Sequence, residues 1–146
     1  MYILIFPFAQ KLRNGKNNPK NYPYWKELIK LLLELNHTIT QVGIDGEEQL
    51  VSDFRKNLSF SDLAKLVKRC DTWIGVDSFG QHFCWDQNKP GIVIWGQSNP
   101  KIYGHDIHTN LLKSVDYLMP DQFLMWELIP YKEECFVTPQ EVITQL

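Results

Sequence analysis

What the sequence lacks already narrows its class. Its three cysteines, Cys70, Cys84 and Cys135, are an odd number and include no C-x-x-C pair. That excludes a disulfide scaffold or a zinc ribbon, and the thiols read as buried or incidental groups kept reduced in the cytoplasm. No run approaches the roughly 20 apolar residues of a membrane span. The apolar start MYILIFPFAQ carries neither a basic leader nor a small-residue cleavage site, so it reads as a first strand. Charge of one sign is missing too: 15 Lys+Arg face 17 Asp+Glu, a net charge of −2. Such a balance gives no whole-chain field of the kind that gathers on nucleic acid or an anionic membrane. There is no G-x-x-x-x-G-K-[ST] loop, no G-x-S-x-G elbow and no G-x-G-x-x-G fingerprint. P-loop ATPase, serine hydrolase and ordinary dehydrogenase readings lose their usual support.

What is present suits one globular domain spanning residues 1–146, with 44% hydrophobic and 13% aromatic residues. Tyr2–Phe8 is a continuous apolar run, as expected of a strand buried on both faces. From Pro23 the spacing of Trp25, Leu28, Ile29, Leu32 and Leu33 predicts a helix. Thr38–Val42 follows as a strand, Gly43–Gly46 as a turn and Glu47 to Phe54 as a short helix. Ser59 or Ser61 caps a helix carrying Leu63, Ala64, Leu66 and Val67. Thr72–Val76 and Ile92–Trp95 read as strands, with a helix from Ser78 to Asn88 between them and a long polar loop, Gln97–His108, beyond. Thr138-Pro139-Gln140-Glu141 is a capping-box start for a last helix to Leu146. Leu111–Tyr131 is the least legible stretch, expected to hold one strand and one short helix, and residues 112–146 form a poorly legible extension expected to pack on the domain. Trp73, Trp85, Trp95 and Trp126 read as core and helix–sheet packing.

Strands alternating with helices imply βαβ units and an α/β, Rossmann-like domain: an open, mostly parallel sheet flanked by helices. Ligands of such sheets sit at the carboxyl ends of the strands. That rule selects Ala9–Tyr22, Gly43–Glu47, Asp77–His82 and Gly96–His108, which are also the most polar and glycine-rich stretches. In Val76-Asp77-Ser78-Phe79-Gly80-Gln81-His82 a strand runs into a helix start. Ser78 can cap that helix, and the N–H groups of its first turn can hold a phosphate. Asp77 can orient the loop or accept from a sugar hydroxyl, and His82 can donate to a phosphate oxygen. An ordinary capped turn is the other reading of the same residues. Lys20 can neutralise a diphosphate as a point charge, or be a solvated surface lysine. Lys11, Arg13 and Lys16 read as solubility. Glu47, with Glu48 as its substitute, can accept from a ribose diol or simply charge a helix start. His105 and His108 form H-x-x-H without a third ligand at a convincing spacing, so they read as loop residues and no metal is expected.

The ordered set Lys20-x-Tyr22-Pro23, Gly43-x-x-x-Glu47, Leu58-Ser59-Phe60-x-x-Leu63-Ala64, Ile74-Gly75-Val76-Asp77-Ser78 with His82, and Lys89-Pro90-Gly91-Ile92-Val93-Ile94-Trp95-Gly96 resembles glycosyltransferase family nine. These are the heptosyltransferases of lipopolysaccharide assembly and their relatives. The resemblance covers residues 1–112 and is to the C-terminal, nucleotide-sugar-binding half of a two-domain GT-B enzyme. It implies that Lys20 and the turn Asp77, Ser78, Gly80, His82 hold the diphosphate, that Glu47 binds the ribose and that Asp77 contacts the sugar. It implies transfer without a metal or other cofactor, since a lysine and a helix start stabilise the leaving diphosphate. The family pattern has glycine directly after Asp-Ser/Thr; here Phe79 stands there and Gly80 follows. The resemblance also implies that the half binding the acceptor and carrying the general base is missing. No catalytic residue is therefore expected in this chain. Activity is expected to need a second, acceptor-binding subunit or a homodimer. The alternatives are a non-enzymatic nucleotide or nucleotide-sugar binding protein and a degenerate Rossmann-like module for protein contact.

Overall fold

Tyr2–Phe6 (β1) runs through the middle of the sheet in the computed structural model, which describes residues 1–146. Ile3, Leu4 and Ile5 are all fully buried because layers cover both faces, which is why the strand reads as apolar without alternation. On one side lie Thr38–Gly43 (β2) and, at the edge, Phe54–Lys56 (β3). On the other lie Thr72–Val76 (β4), Ile92–Trp95 (β5) and Thr109–Leu112 (β6). Every pairing is parallel and the order is β3-β2-β1-β4-β5-β6. The chain builds outward from β1, crosses back and builds outward again from β4. The carboxyl ends of β1 and β4 thus flank the switch point, where open sheets of this kind leave a crevice.

Two layers of side chains hold the helices on. Trp25–Glu34 (α1) turns Trp25, Leu28, Ile29 and Leu32 onto Ile3, Ile5, Ile39 and Ile74. On the opposite face, Phe60–Arg69 (α2) and Phe79–Asp86 (α3) bury Leu63, Val67 and Cys84 against Leu4, Phe6, Trp73 and Val93. Ser59 is the cap of α2, its hydroxyl accepting the Asp62 N–H at 3.1 Å. Trp73 and Trp95 are fully buried as expected, but Trp85 is half exposed and Trp126 lies on a cleft wall. All three cysteines are buried and free, and burial pushes the Cys135 thiol up to about 11.

Two expectations are corrected. Residues 47–53 form no helix, and Phe54 begins β3 instead. The cause is Gln41 of β2: its Nε2 donates to the Glu48 carbonyl and its Oε1 accepts the Leu50 N–H, both at 2.8 Å. Those bonds satisfy main-chain groups that a helix would have paired within itself. The loop Gln97–His108 is not wholly irregular, since Pro100–Tyr103 (α4) forms a short turn of helix behind the Asn99 cap.

Beyond β6 the chain returns to the α1 face. Short 3₁₀ turns at Val115–Tyr117, Trp126–Leu128 and Glu133–Cys135 lead to Pro139–Ile143 (α5), which starts in the expected capping box. Phe136, Val137 and Val142 are buried with α1 in the first core layer. The Tyr22 hydroxyl donates to the Val137 carbonyl at 2.9 Å, and that of Tyr131 to Asn21 at 2.7 Å. No helix is long and apolar enough to cross a membrane.

Candidate functional site

A cleft of about 680 Å³ opens at the carboxyl edge of the sheet, over the switch point. Its floor is Phe6 and Phe8 from β1 and the loop after it. One wall is the end of β2 with Glu47, and the other is the start of α3. Lys20, Glu47, Asp77, Ser78, Gly80 and His82 all line it, so residues up to 62 positions apart in sequence meet in one place.

Asp77, at the tip of β4, is only 4% exposed. Its Oδ1 accepts from Gln81 Nε2 at 2.7 Å, its Oδ2 accepts from Ser98 Oγ at 2.9 Å, and Lys20 Nζ lies 3.3 Å from the same Oδ2. Both carboxylate oxygens are therefore engaged, which makes Asp77 the anchor of the loop and of Lys20. Lys20 remains partly open to solvent and also packs on the Trp126 ring, 4.8 Å from its centroid.

Ser78 occupies the N-cap position of α3, but its side chain makes no capping bond. The N–H groups of Phe79, Gly80 and Gln81 have no partner within the protein. An uncapped helix start with a free hydroxyl beside a lysine is suited to an anion. Gly80 is set by packing: a Cβ there would lie 2.5 Å from Phe6 Cγ, so only glycine lets α3 sit this close to β1. Phe79 stacks on Phe60 with ring centroids 5.9 Å apart, and both are more than half exposed, so they form an aromatic rim.

His82 shares a hydrogen bond of 2.8 Å between its Nδ1 and His105 Nε2, which leaves its own Nε2 free. His105 stacks on Trp85 at 4.5 Å, and burial with the neighbouring His82 lowers its pKa. His108 is buried; its Nε2 donates to the Gln81 carbonyl at 2.9 Å, and burial lowers its pKa as well. These two histidines therefore brace α3. No three His, Cys, Asp or Glu side chains converge in a metal-binding arrangement.

Glu47 lies over Gly43, where any Cβ would fall on its carboxylate. Burial raises the Glu47 pKa, while the Ile44 main-chain hydrogen bond and the Lys11 ammonium partly oppose the shift. Lys11 and Arg13, read from sequence as solubility, line the cleft, and Lys11 Nζ reaches over Gly46 beside Glu47. Trp126 and Glu127 complete the cleft from the C-terminal extension. Nothing in their local sequence marked them. Three cationic groups and a helix start around one crevice can bind a polyanion, and a carboxylate at its β2 end can bind hydroxyls.

Comparison with solved structures finds the same fold within known glycosyltransferases. The chain superimposes on Escherichia coli ADP-heptose LPS heptosyltransferase II with a TM-score of 0.66 at 18% identity, over 99% of this chain and 44% of that one. For a family 9 glycosyl transferase from Veillonella parvula the TM-score is 0.72 at 17% identity, over 98% and 44%. For the iron-containing dodecameric glycosyltransferase TibC of enterotoxigenic E. coli it is 0.62 at 16%, over 97% and 37%. The chain thus spans less than half the length of each, and at these identities the likeness is one of fold. No curated protein sequence matches it. The sequence profile described as glycosyltransferase family 9 (heptosyltransferase) does match, over residues 1–115, which include every strand and every loop from Ala9 to His108 that builds the cleft; by that match the chain belongs to glycosyltransferase family 9.

Proposed function

We propose that this chain binds a nucleoside diphosphate sugar, as the donor-binding half of a heptosyltransferase-like glycosyltransferase. The observation that carries the reading is the meeting of Lys20, His82 and the uncapped start of α3 in one cleft at the switch point. A diphosphate there would accept from the free first-turn N–H groups, the Ser78 hydroxyl and His82 Nε2, with Lys20 as its counter-charge. Glu47 would accept from the ribose diol. The same groups stabilise the charge that develops on a departing diphosphate. Turnover further requires an acceptor site and a general base, which we assign to a facing domain, such as a second subunit or a second copy of the chain could supply. The reduced thiols and the class of donor suit the cytoplasm.

Calorimetric titration with ADP-, GDP- and UDP-sugars tests the reading. One donor is expected to bind weakly, and Lys20→Ala to weaken it by about tenfold or more, the scale of one charge-assisted contact. Flat titrations with every donor would overturn it. A second reading, a Rossmann-like module for protein contact, draws on one observation. Phe123, Met125 and Leu128 lie well exposed within a few residues of one another beside the cleft.

A further inference from the structure

We propose that Trp126 and Glu127 form the sugar subsite of this cleft; the inference rests on the nucleotide-sugar reading and extends it. Both residues lie beyond the stretch that matches the family profile, in the C-terminal extension.

The order of groups along the sheet edge gives the direction. Glu47 stands at the end of β2, and Asp77 with Lys20 stands at the end of β4, two strands and so roughly 10 Å away. The extension comes over the edge from the β5 side. The Gln97 carbonyl just past β5 accepts from the Met119 N–H and Gln122 Nε2, and Gln97 Nε2 donates to the Pro130 carbonyl. A ligand with its ribose on Glu47 and its diphosphate on Lys20 therefore extends its sugar toward Trp126, whose ring borders Lys20 at 4.8 Å.

The chemistry of that end suits a pyranose. An indole offers a flat, electron-rich face to the C–H groups of a sugar ring. A carboxylate beside it accepts from hydroxyls and donates nothing. Glu127 has this capacity to spare: no salt bridge engages it, and the one hydrogen bond its carboxylate accepts is from the Arg13 main-chain N–H at 3.4 Å. That contact, with Asn14 Nδ2 donating to the Glu127 carbonyl at 3.4 Å, holds the turn against the first loop.

The test compares matched ligands: ADP with ADP-glucose, GDP with GDP-mannose and UDP with UDP-glucose, titrated calorimetrically into the full chain. In whichever pair binds, Trp126→Ala is expected to weaken the sugar conjugate about five- to tenfold, the scale of one aromatic contact. The bare diphosphate should change less than about twofold, and Trp126→Phe, which keeps a ring face, should retain most of the affinity. Glu127→Gln should likewise weaken only the conjugate. Thermal melts of each variant confirm that the fold is intact. Equal losses for conjugate and bare diphosphate would overturn the inference, since Trp126 would then act through Lys20 alone. Unchanged affinities in both variants would overturn it too. If the unmodified chain binds no member of any pair, the nucleotide-sugar reading falls and takes this inference with it; equal losses leave that reading standing.

Discussion

Replacing Asp77 by asparagine keeps its shape, removes its charge and so isolates what the carboxylate does at the tip of β4. Asp77 is nearly inaccessible, and three groups depend on it: Gln81 Nε2 at 2.7 Å, Ser98 Oγ at 2.9 Å and Lys20 Nζ at 3.3 Å. An asparagine offers one acceptor oxygen, so either the Gln81 amide or the Ser98–Lys20 side loses its partner and meets an NH₂ group instead. Losing one hydrogen bond to a charged group costs about 1.5–3 kcal/mol. At 3.3 Å and an effective dielectric of about 20, the attraction between Lys20 and Asp77 is about 5 kcal/mol before desolvation. Desolvation of the pair takes back most of that, leaving about 1–2 kcal/mol. Together the loss is about 3 kcal/mol, which for a chain of this size lowers Tm by about 6–12 °C. Lys20→Met should cost less, because Asp77 retains Gln81 and Ser98. The assay is thermal and urea unfolding followed by circular dichroism for the two single variants and the double. A coupling energy of about 1–2 kcal/mol is expected between the sites. A Tm loss below about 3 °C for Asp77→Asn, or no coupling, would refute the reasoning and return Asp77 to the status of an ordinary turn residue.

Gly43→Ala places a methyl group where the Glu47 carboxylate now lies, so nucleoside diphosphate affinity should fall while the circular dichroism spectrum stays unchanged. Gly80→Ala drives a methyl group to 2.5 Å from Phe6 Cγ and should cost about 1–3 kcal/mol of stability, partly recovered by Phe6→Leu, as read by urea midpoints. Glu47 holds its proton to higher pH than an ordinary carboxylate, so affinity that depends on its charge should rise as pH climbs through that raised pKa. Glu47→Gln should flatten the profile in a titration series. His105 and His108 have lowered pKa values and fold as neutral rings. Their contribution is present above the unfolded value of about 6.5 and is lost as pH falls through the lowered one. Tm should therefore drop on acidification, and His108→Gln, which keeps a donor for the Gln81 carbonyl, should reduce that drop.

The elements legible in the sequence are those whose cause is local. β1, β4 and β5 are buried on both faces, and that shows as uninterrupted apolar runs. The caps at Ser59 and Thr138 depend on a residue three positions away. β3 was not legible because it is three residues long, with Arg55 and Lys56 exposed, and exists only by its register with β2. The missing helix at 47–53 fails for a reason held in Gln41, which a window centred on Glu47 does not include. In the cleft, Asp77 directly follows β4 and His82 lies in the first turn of α3, whereas Lys20 and Glu47 stand out only as a lysine five residues ahead of α1 and a carboxylate four residues beyond β2. Lys11 and Arg13 sit mid-loop among other charges, and only the folding of that loop over the end of β1 brings them to the cleft.

The extension beyond β6 joins the fold to the cleft. Phe136 and Val137 are core residues of the α1 layer, and the Tyr22 hydroxyl that binds the Val137 carbonyl stands two residues after Lys20. The Asn21 carbonyl accepts from Tyr131, five residues after Trp126. The loop carrying Lys20 is therefore tied on one side to the extension and on the other, through Asp77, to the tip of β4. Removing the extension would expose the α1 face and would also free the lysine loop, which would lose Trp126 over the ammonium and two main-chain ties at once. Order in the cleft thus depends on residues that lie outside it, and a variant such as Tyr22→Phe, at a residue that does not line the cleft, acts on the same loop as Lys20→Ala. The two are separable because the first lowers stability and affinity together, while the second removes charge from a loop whose anchors remain.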